Sequence, residues 1–333
     1  MNGRVWRVFQ QPVNTLRGNT AGVLRRTGFL FVLLLAGCTG TPDIADRNTL
    51  NIADRHQLGN VPFHAQDRYQ CGPASLAMVL NWSGVDTTPD ALTPQVYLPA
   101  RNGSLQIEML AATRRHHRIP YVIEPNIDAL LREIHAGHPV LVLQNLGLNW
   151  WPVWHYAVVT GYHLTDRTIT LHSGVDENMQ MSLKRFLATW NRAGSWAMVV
   201  TPPQTLPATA QREHYLQAIL NLERLNDWQT TRDAYAALLA RWPGSPDALL
   251  GLGNSQYQLN DKEQAVLTYQ RALDIDPTAA VIYNNLAHVL LELNRLQQAE
   301  AAARRALNLG GPHLQTYQKT LDEILRTKSG DRR

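Results

Sequence analysis

From Arg212 onward the same residue types return every 34 positions, and no other feature of this 333-residue chain restricts its fold so tightly. Pro243, Pro277 and Gly311 form one row. Tyr235, Tyr269 and Ala303 form a second, Thr231, Ala265 and Ala299 a third, and Leu238, Ala272 and Ala306 a fourth. Gly253 and Ala287 match in the helices before them. Between the rows the sequence is rich in Ala and Leu, and a helix-breaking Pro or Gly closes each unit. A unit of this size holds two helices and cannot bury its apolar face alone, so neighbouring units must stack and share one core. The period therefore dictates an all-α solenoid.

The period and its small–aromatic–small–proline pattern resemble the tetratricopeptide repeat. The units run 212–245, 246–279 and 280–313, and the middle one, Pro246 to Ala279, carries the pattern best. A polar-faced helix, Leu314 to Leu325, follows as a cap and takes the region to residue 327. The resemblance implies a surface that receives a protein partner.

Pro202, Pro203 and Pro207 mark 202–211 as a linker, upstream of which the sequence changes character. Apolar residues fill nearly every face of a helix running from Cys71 to Gly84, as in a buried helix. A short helix is expected over Asp90 to Val96. Another follows Ser104 as its cap, and a third runs from Ile127 to His135 between Asn126 and Gly137. Strands are expected near His64, at Ile119 to Ile123, Pro139 to Gln144, His155 to Tyr162, Thr168 to His172 and Trp196 to Val200. A helix capped by Ser182 precedes the last. Helices first and a sheet of adjacent strands afterwards make residues 61–201 an α+β domain rather than an alternating βαβ one.

At the N-terminus Arg25 and Arg26 precede an apolar run, Gly28 to Ala36, too short to span a bilayer as a permanent helix. The run ends in Leu35-Ala36-Gly37-Cys38, which resembles the bacterial lipoprotein signal box. That resemblance implies removal of residues 1–37, acylation of Cys38 and a tether over 38–60. Thr39 rather than Asp follows the cysteine, and by resemblance to enteric-type lipoproteins this implies the outer membrane, facing the periplasm. An ordinary secretory signal or small anchor helix is the alternative. The formal charge of +4 has the same origin. Of 31 Lys and Arg, five precede Cys38 and no acid does, leaving 26 against 27 acidic residues. A near-neutral remainder offers no electrostatic reason for a nucleic-acid partner. The histidines lack metal-ligand spacing and no phosphate-cradling glycine loop occurs, so neither metal nor cofactor is expected.

The chain has two cysteines, and acylation would consume the sulfur of Cys38. Cys71 would then stand alone in an oxidising compartment, as a candidate nucleophile or as a small core residue. It opens a helix, where the positive end of the macrodipole favours thiolate. A base must come from elsewhere. His155 opens a buried strand directly after an aromatic loop, whereas His116, His117, His135 and His138 lie in polar surroundings that suggest solvation. An imidazolium beside the thiol would bring its pKa to roughly 3.5–7.5.

Gln-x₄-Cys-Gly-Pro-Ala-x-Leu-Ala over 66–77, followed by His-Tyr-Ala-Val-Val-x-Gly-Tyr over 155–162, resembles the papain-like, bacteriocin-leader-processing (double-glycine) peptidase family. Within it the chain resembles the exported lipoproteins that carry this domain ahead of tetratricopeptide repeats. The resemblance implies a nucleophile at Cys71, a general base at His155 and an oxyanion-stabilising glutamine at Gln66. Gln66 stands one residue nearer the cysteine than is usual there, with Gln70 as the alternative. The family's third member is an Asp at the end of the next strand; Ser173 occupies that place here, and Asp176 follows three residues on. Trp150, Trp151 and Trp154 either line the substrate cleft or cap the sheet. The expected activity is that of a membrane-anchored cysteine peptidase acting on peptide or protein substrates in the cell envelope. A catalytically silent peptide-binding scaffold, and an amidase or transpeptidase on cell-wall peptides, are the alternatives.

Overall fold

The computed structural model describes residues 50–66 and 70–330, so the leader, Cys38 and most of the tether lie outside the described residues. In chain order the first part comprises β1 (Arg55–Gln57), α1 (Cys71–Trp82), α2 (Pro89–Val96), the two-residue strands β2 (Tyr97–Leu98) and β3 (Gly103–Ser104), α3 (Gln106–Arg115), β4 (Ile119–Val122) and α4 (Ile127–His135). β5 (Val140–Asn145), β6 (Trp154–His163), β7 (Thr168–Ser173), β8 (Asp176–Ser182), α5 (Leu183–Asn191) and β9 (Ala197–Thr201) complete it. An antiparallel sheet of order β4-β9-β5-β6-β7-β8 organises these elements, with β1 on the far half of β6, beyond the stretch that β5 covers.

Period-two alternation sends the central strands' side chains to two cores. Leu141, Leu143, Tyr156, Val158, Met198 and Val200 face α1 and the helices packed with it. Val140, Val142, Ala157, Val159, Ala197 and Val199 face α4 and α5. Burial on both faces explains why these strands read as continuous apolar runs.

The expectation of a first strand near His64 is corrected. The first strand is β1, and His64 instead lies outside any strand or helix, with Nε2 2.7 Å from Asn81 Oδ1. Sequence reasoning also missed β8. Its residues, Asp-Glu-Asn-Met-Gln-Met-Ser, form a solvated edge strand with only Met181 buried, which leaves no apolar alternation to find. Asn126 and Ser182 cap α4 and α5, but Ser104 does not cap α3. Leu105 holds that position without a side-chain bond, and Ser104 ends β3.

The second part is seven helices: α6 (Arg212–Glu223), α7 (Trp228–Arg241), α8 (Pro246–Gln258), α9 (Lys262–Ile275), α10 (Ala280–Glu292), α11 (Leu296–Leu309) and α12 (Leu314–Lys328). They stack in order as helix pairs. Tyr235 and Tyr269 are buried where Gly251 and Gly253 face them; a Cβ at Gly253 would lie 2.4 Å from the Tyr269 ring. Asn226, Asn260 and Asn294, again 34 apart, take the left-handed conformation in the turn inside each pair, a role Asn fills well.

Residues 202–211 are built into the first part rather than strung between the two. The wholly buried Glu133 carboxylate accepts from the backbone N–H of Ala208 (3.1 Å) and Thr209 (2.7 Å), from the Thr209 hydroxyl and from His138 Nδ1 (2.6 Å). His138, expected in solvent, is therefore a buried partner of Glu133. Tyr121 accepts from the Gln211 N–H at 3.0 Å, and its ring lies 6.1 Å from that of Tyr215 on α6. The α4–α5 core runs on into α6 to α12 without interruption.

Candidate active site

The Cys71 sulfur sits at the first position of α1, a buried helix whose Pro73 occupies its first turn. Gly72 is required beside it. Ser104 Oγ packs so close that a Cβ on residue 72 would meet it at 2.2 Å. The β2–β3 hairpin thus lies directly against the mouth of the helix, with Tyr156 OH donating to Ser104 O at 3.2 Å.

Cys71, His155, Gln66 and Trp154 line one cleft of about 760 Å³, together with Tyr156 and Ser104. His155 enters from the start of β6, and its Nε2 lies 2.8 Å from Ser173 Oγ at the end of β7. That contact occupies one ring nitrogen and leaves Nδ1 for the cleft. Asp176 stands opposite Ser173 in the β7–β8 hairpin, exposed, and it is Ser173 that meets the imidazole. Gln70 precedes α1 at its N-cap without a side-chain cap bond.

Gln66 is held at both ends. Its backbone N–H donates to Gly174 O at 2.9 Å, and its Nε2 donates to Ser75 Oγ at 3.2 Å and towards Tyr156 O at 3.5 Å. Its Oε1 is buried with no partner, as is Ser104 Oγ. Ser75 lies one helical turn after Cys71 and is fully buried. Sequence reasoning missed Ser75, Ser104 and Tyr156; the i,i+4 spacing of Ser75 from the cysteine was the available signal for the first. Trp150 and Trp151 are not part of the cleft wall. They stand 76% and 70% exposed at the tip of the β5–β6 loop.

Residues 57–198 match the model of the Peptidase_C39 like family, and two tetratricopeptide-repeat models match 216–280 and 268–301. The chain carries a C39-like peptidase domain followed by tetratricopeptide repeats. Among solved structures, one described as a C39-like peptidase from Bacillus anthracis is 18% identical, with 44% of this chain and 97% of that one covered, at a TM-score of 0.38. The type III secretion chaperone SycD of Yersinia enterocolitica, in complex with a peptide of the translocator YopD, is 19% identical over 35% of this chain and 93% of its own, at 0.33. The first tetratricopeptide domain of Spaghetti (RPAP3), bound to an HSP90 peptide, is 14% identical over 35% and 93%, at 0.34. No curated protein matches the chain.

Electrostatics in the C39-like domain corrects one expectation. Burial pushes the Cys71 thiol above its ordinary value of 9.0, opposed by the backbone amides of Tyr156, Gly72 and Cys71 itself. Burial also holds His155 below the usual imidazole value. Desolvation thus disfavours the charged form of each residue, thiolate at Cys71 and imidazolium at His155. Among the described residues, no group of three or more His, Cys, Asp or Glu is arranged to hold a metal ion.

Proposed function

We propose that the C39-like domain is a cysteine peptidase acting on peptide or protein substrates in the cell envelope. In this reading the chain is held at the outer membrane, facing the periplasm, through acylated Cys38, and the repeats position a protein partner. The observation that carries it is the 2.8 Å contact between His155 Nε2 and Ser173 Oγ in the cleft that also holds Cys71. Hydrolysis begins as Cys71 Sγ attacks the acyl carbon and its proton passes to His155 Nδ1. The resulting imidazolium, steadied at Nε2 by Ser173, protonates the leaving amine. Water, activated by the same imidazole, then releases the acyl group.

The backbone N–H of Cys71 and the Gln66 amide stabilise the oxyanion. Delivering that amide requires rotation of the Gln66 side chain away from Tyr156 O. The Ser75 hydroxyl supports either orientation because it both donates and accepts.

A second reading, a catalytically silent peptide-binding scaffold, is favoured by the hydroxyl at Ser173 and the raised thiol. Comparing envelope peptide profiles of wild type and Cys71→Ala tests the first reading: peptides that accumulate or disappear support it. Coinciding profiles, with cellular function lost only on deletion from Arg212 onward, sink it in favour of the scaffold.

A further inference from the structure

Beyond Asn145 and Trp154 the β5–β6 hairpin continues past the sheet as a narrow finger. Leu146 N–H donates to Val153 O at 2.8 Å, and Leu148 and Trp151 exchange two backbone bonds of 3.1 Å each. Asn145 Oδ1 accepts from the N–H of Gly147 and Val153, both at 3.0 Å. Gly147 makes this closure feasible, since a Cβ there would lie 2.4 Å from Trp151 O. The finger is thus well braced, and residues 148–154 are all exposed.

Its composition is unusual for a solvated hairpin. Successive cross-strand pairs put Trp154 on one face and Leu146 with Val153 on the other, and all three are exposed. Solvated hairpins keep one polar face; this one is apolar on both, and at its tip Asn149 is the one polar side chain beside Trp150 and Trp151. No Asp, Glu, Lys or Arg occurs between His138 and Asp166. At the base of the finger the Arg192 guanidinium donates to Asn145 O at 2.9 Å, and Arg101 lines the cleft beside Pro152, Val153 and Trp154.

We propose that this finger inserts into the interface of a lipid bilayer, with Trp150 and Trp151 at the boundary between headgroups and acyl chains. A flat protein partner would cover one face, whereas lipid surrounds both. Immersion demands that backbone groups be paired internally, as they are at Leu146, Gly147, Leu148, Trp151 and Val153. It also penalises charge, which is absent, and it favours tryptophan, whose ring prefers the membrane–water boundary. Arg192 then lies where headgroup phosphates would be. Pro152, Val153 and Trp154 also line the cleft, so insertion places the cleft mouth at the membrane surface. The inference is independent of peptidase activity and of acylation at Cys38.

The test reconstitutes the full chain into phosphatidylcholine–phosphatidylglycerol vesicles, with and without acyl-chain bromination of the phosphatidylcholine. Wild type is compared with the Trp150→Ser/Trp151→Ser variant, in which both side chains are already exposed and whose far-UV circular dichroism should be unchanged. Brominated lipid should quench a component of wild-type tryptophan emission that the variant lacks, and aqueous iodide should not reach that component. Equal bromine quenching in the two proteins, or a wild-type component open to iodide, overturns the proposal. A vesicle-bound chain with equal quenching overturns the finger alone and leaves anchorage through Cys38 standing.

Discussion

Replacing Ser173 by aspartate should raise the pKa of His155 and speed the reaction of Cys71 near neutral pH. Ser173 Oγ accepts or shares a proton with Nε2 at 2.8 Å, so a carboxylate at that position meets the same ring nitrogen. Exchanging a neutral acceptor for a charged one lifts a hydrogen bond from about 0.5–1.5 to about 1.5–3 kcal/mol. Two effects oppose the gain. Position 173 is largely buried, which penalises a carboxylate, and Asp176 faces it across the hairpin with like charge. Taking about 1–1.5 kcal/mol as what survives, the imidazolium gains roughly one pKa unit. The thiolate–imidazolium pair then becomes about tenfold more populated. Iodoacetamide alkylation of Cys71 measured against pH, with His155 titrated in parallel by NMR, reads both quantities. Wild type should react slowly near neutrality and accelerate above the thiol's ordinary 9.0, because burial pushes the thiol up. Ser173→Asp should gain about tenfold near neutrality, in line with that one-unit rise, whereas Ser173→Ala should gain nothing. If Ser173→Asp leaves the His155 titration unmoved, the orienting role assigned to position 173 is wrong.

Two further outcomes follow from carboxylates, Glu223 half-buried and Glu133 wholly buried. Burial raises Glu223 to about 7 while Tyr235 OH donates to it at 2.8 Å. Its folded pKa lies above its ordinary 4.5, so the fold favours the protonated form. That contribution is fully present below about 4.5 and is lost as pH rises through about 7. Glu223→Gln should therefore match wild type in acid and exceed it by up to about 3 kcal/mol above neutrality in denaturant unfolding; a constant difference across pH would refute this. Glu133→Ala strips an acceptor from four donors in a dry site and should cost about 3–5 kcal/mol. Limited proteolysis should then cut within 202–211, and a variant as resistant as wild type there would count against the clamp.

The fold was legible where the residues carry their own periodicity. Rows such as Pro243, Pro277 and Gly311 leave little choice but stacked helix pairs, and doubly buried strands such as Val140–Asn145 announce themselves as apolar runs. β8 was not legible, because a polar edge strand lacks the alternation by which strands are found. Within the site, Cys71 and His155 could be singled out from their places at the openings of a buried helix and a buried strand. The electrostatics could not be read that way. Helix polarity is visible in a sequence, but the burial that raises the Cys71 thiol depends on tertiary packing around the helix mouth. The tryptophans divided for a similar reason: Trp154 lies on the ladder and Trp150 and Trp151 beyond it, a difference of register that composition does not record. His138 read as solvated because its partner Glu133, also polar, gave no hint that both are interior.

The Glu133 clamp also bears on where this protein can be divided. Composition places the domain boundary at the prolines after Thr201, yet the peptidase half is completed only by Ala208 and Thr209 and by the Tyr121–Gln211 bond. A fragment ending at residue 201 would expose a carboxylate evolved to be dry. One ending in the solvated turn at Asn226 would retain the linker and α6, including Tyr215 and Ile219, but would lose α7. The folded module therefore overruns its compositional edge and borrows its last side chains from the first helix of the solenoid.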